Sequence, residues 1–291
     1  MRSAFVERLS EGEFGGYPAQ DLISPASAGD NLTMLSGCAP PDMLGHGQDK
    51  LACLPNVDRQ LQKKAKQMLL NEDLSVPVRV DATKLNWVPS PAKGVDRRML
   101  FRIGEEKARA TSIVRYASGS QFSYHRHPGG EEFLVLDGIF QDETGDFGAG
   151  TYVRNPPGSG HAPRTRDGCT IFVKLWQFRV DDGEHIVRRP GDTPGTQLRP
   201  GVIEAITLFS GCDECVMLEK WKANADIELS GFKGLELLVL EGDLIEAGTR
   251  LGPLTWLRLP AGTSFRARVG AEGASVWYKD APLLHGQVCS F

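Results

Sequence analysis

Apolar, β-branched and aromatic residues cluster in short runs at 99–103, 111–116, 133–136, 152–155 and 169–178, each bounded by Gly, Pro, Asp, Asn or Ser. Runs this short between turn residues predict β-strands. One stretch differs. From 56 to about 70, Val57, Leu61, Ala65, Met68 and Leu69 recur at helical spacing, with Lys63, Lys64 and Lys66 on the other face, which predicts one short amphipathic helix. A further strand is expected over 76–80. Residues 1–55, rich in Gly, Pro, Ser and Asp and without sustained periodicity, read as an irregular arm. So many strands with so little helix imply an all-β chain of the double-sheet, jelly-roll kind.

The strand pattern repeats. Shifted by 104 residues without a gap, positions 130–161 fall on 234–265 with 11 identities in 32 positions. Such self-similarity predicts two barrels in tandem. Charged and then Pro/Gly-rich, residues 181–200 read as the linker between them. The expected organisation is an arm and helix over 1–75, a first barrel over 76–180, the linker, and a second barrel over 201–291.

Chemistry concentrates in the first repeat. His125 and His127 are two residues apart, so on a strand both imidazoles point the same way. Glu131 follows a Pro-Gly-Gly turn, and if the turn preserves register a carboxylate joins the pair. His161 comes after a second strand and another Pro/Gly turn, where a returning hairpin can supply a fourth ligand. Three imidazoles and a carboxylate suit one borderline divalent metal ion such as iron, manganese, nickel, cobalt or zinc. In the second repeat these positions are Leu229, Gly231, Leu235 and Phe265, so that half is expected to lack the metal. Retained in both are Glu132 with Glu236 and Arg154 with Arg258. Glu132 therefore reads as scaffold and Glu131 as the ligand.

These residues carry a family resemblance. Gly119, His125-Arg-His127, Glu131 and Gly138 stand at the spacing of the first cupin motif, and Gly150, Pro156-Pro-Gly158 and His161 at that of the second, with Thr165 in place of the usual closing Asn. From about Trp87 to Phe178 the chain resembles the ChrR-like cupins, which include anti-sigma factor cupin domains and acetylacetone-cleaving dioxygenases. The resemblance implies two tandem cupin barrels, the second degenerate, with His125, His127, Glu131 and His161 as metal ligands. It also implies Fe(II) as the favoured ion, with Zn, Mn or Ni as alternatives. Gln121 and Ser123 share the parity of His125 and are candidates to support the ligands; Tyr124 and Arg154 are further candidates around the pocket.

Composition narrows the partners. With 41% apolar and 24% charged residues, a formal charge of −4 and a pI near 5.9, the chain offers no basic run to track phosphates. Neither a membrane-spanning stretch nor a targeting segment is evident, so a cytoplasmic location is the expectation. Six cysteines in a chain this size read as reduced thiols, and Cys212-Asp-Glu-Cys215 as a turn without chemistry. A small-molecule substrate or effector is the expected partner, with the C-terminal half as packing support or a homodimer surface. The leading expectation is an Fe(II) dioxygenase acting on a small carbonyl, enol or phenolic substrate. Alternatives are a zinc-type sensing cupin or a Lewis-acid lyase or isomerase. An anti-sigma role is disfavoured, because His46, Cys38 and Cys53 do not match the spacing of the N-terminal zinc module of those proteins.

Overall fold

The computed structural model describes residues 68–197 and 199–284. The arm over 1–55, most of the expected helix, and Cys38, His46, Cys53, His285 and Cys289 lie outside them. Strands joined by Gly- and Pro-rich turns make up the described chain, with one 3-10 turn, Ala82–Lys84, that Asp81 caps by accepting from the Thr83 N–H. No helix among these residues is long and apolar enough to cross a membrane.

Two large antiparallel sheets form. The first runs, neighbour by neighbour, Leu69–Leu70, Val95–Gly104, Ala108–Tyr116, Cys169–Leu175, Glu131–Asp142, Tyr152–Asn155 and Ile186–Arg188. The second runs Val202–Ser210, Cys215–Trp221, Ser264–Asp280, Gly234–Glu246, Thr255–Pro260 and Val78–Asp81. A separate two-stranded ribbon pairs His125–His127 with Ser159–His161.

Alternation along the strands sorts the side chains into three apolar layers. Phe133, Val135, Val153, Ile171 and Val173 fill the first barrel. Leu235, Leu237, Val239, Leu257 and Phe265 fill the second. Between the barrels, Ile113, Leu134 and Phe172 of one sheet meet Leu218, Leu238, Trp256 and Trp277 of the other. The two sheets belong to one compact unit.

Three expectations are corrected. Leu69 and Leu70, placed in the helix by periodicity, form an edge strand whose backbone pairs with Ile103 and Arg102; ladder hydrogen bonds outweigh a helical pattern at its last turn. Residues 78–81, assigned to the first barrel, pair instead with Thr255–Arg258 of the second sheet. The stretch 181–200 is more than a linker. Ile186–Arg188 pairs with Tyr152–Arg154 and covers the edge of the first sheet.

Candidate metal centre

The ribbon and the start of the strand Glu131–Asp142 build the centre. His161 stands directly opposite His125 in the ribbon register, so their side chains share a face. Gly130, at φ +75°, turns the chain so that Glu131 enters the barrel. His127, Glu131 and His161 are buried, while His125 is exposed, so the cluster opens to solvent on the His125 side. One ring nitrogen from each histidine lies within 4.8 Å of the others. His127 Nε2 and His161 Nε2 are 3.1 Å apart, and each is 3.5 Å from Glu131 Oε2.

Partners of the outer nitrogens set the tautomers. His161 Nδ1 lies 3.3 Å from Asp142 Oδ2, and His125 Nδ1 lies 3.1 Å from the Ser123 carbonyl; both of these nitrogens therefore donate, which leaves Nε2 of His161 and of His125 as lone-pair acceptors. A His161 lone pair 3.5 Å from the Glu131 carboxylate favours a cation between them. The separations suit one, since bonds of about 2.1 Å place neighbouring ligand atoms about 3.0 Å apart in octahedral and about 3.4 Å apart in tetrahedral geometry. These residues therefore fit a divalent metal.

The electrostatics agree. Burial lowers the pKa of His127 against the raising effect of Glu131, with His161 and His125 lowering it further; a neutral imidazole is the ligating form. Burial also opposes protonation of His161, but its hydrogen bond to Asp142 and the charges of Glu131, Asp142 and Glu143 hold it above the ordinary imidazole value. That excess proton affinity marks a place for positive charge. Asp142 is itself pinned, accepting at Oδ1 from the Thr144 N–H and hydroxyl. Asn155 Nδ2 donates to Glu131 Oε2 at 3.4 Å.

The other sequence candidates are placed elsewhere. Ser123 contributes its backbone carbonyl, not its hydroxyl. Gln121 is exposed and bridges Arg164. The Tyr124 phenol lies over Gly160, where an added Cβ would come within 2.7 Å of its oxygen; that is the face of the ribbon opposite His161. Arg154 is buried on the reverse face of its strand, bound to Asp182 and Glu214. Strand alternation is the reason: Glu132 pairs across to Arg154, and Glu131 to Asn155. His185 is exposed, Cys212 is exposed, and Cys215 packs against the second core.

Leu229 stands opposite Phe265 as His125 stands opposite His161. Together with Leu235 these residues belong to the apolar filling of the second barrel.

Residues 75–179 match the family model of the ChrR cupin-like domain. This segment is a ChrR-like cupin. No curated protein matches the chain. Among solved structures, the chain is similar to a provisionally assigned dioxygenase from Nostoc punctiforme, with TM-score 0.58 and 12% identity over 75% of this chain and 87% of that one. It is also similar to the pirin YhhW of Escherichia coli in complex with nickel(II), with TM-score 0.53 and 13% identity over 71% and 99%. A third is the formate complex of oxalate decarboxylase from Lactobacillus farciminis, with TM-score 0.52 and 9% identity over 70% and 86%. At these identities the likeness is one of fold.

Proposed function

We propose that the N-terminal cupin is a mononuclear metal enzyme, an Fe(II) dioxygenase acting on a small carbonyl, enol or phenolic substrate. The observation that carries this is the convergence of His127, His161 and Glu131 at 3.1 and 3.5 Å, with a His125 ring nitrogen within 4.8 Å of the other two imidazoles, in a cluster open to solvent on the His125 side. Four protein donors leave two positions of an octahedral ion free. Bound there, Fe(II) supplies Lewis acidity toward a substrate oxygen and an electron toward dioxygen.

The chain's own part is orientation and exclusion of water. Asp142 and the Ser123 carbonyl hold the two outer imidazoles in the ligating tautomer. Phe140, 5.6 Å from the His161 ring between centroids, with Phe133 and Phe147 behind it, closes the inner side with apolar surface. The dioxygenase assignment of a fold neighbour supports the reaction class, and the nickel(II) complex of another supports metal binding by a protein of this fold.

The test is elemental analysis of protein purified without chelator, beside the His125→Ala/His127→Ala double variant, followed by oxygen uptake with a panel of diketones and phenols. About one equivalent of iron, lost in the variant and required for uptake, is the expected result. One equivalent of zinc that resists exchange, without uptake, would overturn the dioxygenase in favour of a sensing or Lewis-acid cupin.

A further inference from the structure

A cavity of about 60 Å³ opens inside the first barrel. Its walls are mostly small or apolar, with Ala110, Ser112, Val173 and Leu175 among them, yet two guanidinium groups, Arg97 and Arg102, also line it. Those arginines are five residues apart and would face opposite sides of a regular strand. A register shift between Met99 and Phe101 turns both inward, so that Arg97 pairs with Val114 and Arg102 with Ala110.

One lining residue, Leu175, is the ladder neighbour of the ligand Glu131. In the ladder, Glu131 is opposite Leu175, Leu175 opposite Ala110, and Ala110 opposite Arg102. Residues directly opposite share a face, so this row leads across the barrel interior from the ligand to the guanidinium. At about 4.8 Å per strand, Glu131 and Arg102 are about 14 Å apart along the sheet. Only Leu175 and Ala110 stand between.

The guanidinium pair is poorly neutralised. Arg102 donates to the backbone carbonyls of Gly104 and Glu105, which fix it without cancelling its charge. Arg97 meets Glu106 through two long contacts of 3.4 Å, and the Glu106 side chain is 61% exposed against 16% for Arg97. Arg97 Nε is buried without a hydrogen-bond partner. Burial and then the neighbouring Arg97 charge lower the pKa of Arg102, which Glu106 and Glu105 offset only in part. Two arginines in an apolar cavity, with a loosely held carboxylate at the rim, form a seat for an incoming carboxylate.

We propose that Arg97 and Arg102 form an anion seat, separate from the His/Glu cluster, that binds the carboxylate of a small organic acid by displacing Glu106. The anion seat does not rest on the metal-centre reading.

Calorimetric titration of the full chain with acetoacetate and with its uncharged methyl ester tests it, with metal content measured on every sample. The acid is expected to bind about tenfold or more tightly than the ester. Arg97→Gln should erase most of that preference with metal content unchanged, and Arg97→Lys should restore part of it. In His127→Ala, which loses metal, the preference for the acid should persist. Glu106→Gln, a change on the exposed rim, removes the competing carboxylate and should tighten the acid severalfold but not the ester. Equal affinity of acid and ester, no binding of either at millimolar concentration, a preference untouched by Arg97→Gln, or no tightening in Glu106→Gln each overturns the proposal. Wild-type protein without metal would instead overturn the metal reading and leave the acid preference intact.

Discussion

Glu132 and Glu236, equivalent residues 104 apart in the two repeats, each bind a lysine of the other barrel. Lys279 reaches Glu132 and Lys174 reaches Glu236, and all four side chains are buried. Each carboxylate is completed by an equivalent aromatic donor, Tyr152 at 2.6 Å and Trp256 at 3.1 Å. The two barrels are thus joined by a reciprocal exchange of charge within their shared apolar layer. Lys279 also binds Glu214 at 2.7 Å, so its loss leaves two buried carboxylates short of a cation. Lys279→Met should cost about 3 kcal/mol in urea unfolding, and Glu132→Leu added to it should recover part of that loss, because removing both members is cheaper than stranding one.

Acid should act on the same junction. Burial alone would raise the Glu132 pKa, but Lys279, Arg154 and Lys174 hold it down to about 2. A carboxyl with a depressed folded pKa contributes stability above its unfolded value, about 4.3, and loses it as pH falls through the folded value. Unfolding midpoints measured on chelated protein should fall between about pH 4 and pH 2. In Glu132→Gln that limb should be shallower, from a lower starting stability; an unchanged slope would show that other carboxylates dominate.

Asp142 is the supporting residue with the largest expected effect on metal binding. Its carboxylate faces His161 Nδ1 and is held by Thr144. Asp142→Asn should lower metal affinity about 10- to 100-fold in a chelator competition while all four donors remain. Gln121→Ala, exposed and bridged to Arg164, should leave it unchanged.

The sequence made some of this legible. Spacing grouped His125, His127, Glu131 and His161, because strand alternation and one hairpin suffice to converge them. The repeat separated Glu132 from Glu131, since only Glu132 has a counterpart at 236. Asn155 was within reach: a register joining Glu132 to Arg154 places Glu131 opposite Asn155. Asp142 was hidden, because an acidic residue before Thr144-Gly145 reads as turn chemistry, and here it caps the turn and orients His161 at once. The Arg97 and Arg102 pair was invisible, since a bulge overturns the parity that places them on opposite faces. The strand at 78–81 shows the same limit, as no local pattern says which barrel a strand will join.

Gly138 and Gly242, another pair related by the repeat, stand where each main strand crosses a neighbouring turn. They have φ +72° and +69°, and a Cβ would lie 2.2 Å from Gly168 O in one and 1.9 Å from Gly273 O in the other. The obstacle in both is backbone, which cannot swing aside as a side chain can. Left-handed conformation alone costs a non-glycine residue about 1–2 kcal/mol, and the clash adds to it. Gly138→Ala or Gly242→Ala should therefore lower stability by at least about 2 kcal/mol, read as a drop in the thermal midpoint. Gly148→Ala is the control, since nothing lies within 4 Å of a Cβ there and its φ is not left-handed. Its midpoint should stay close to wild type, and an equal loss in all three would mean that chain flexibility, not the close crossing, sets the requirement for glycine.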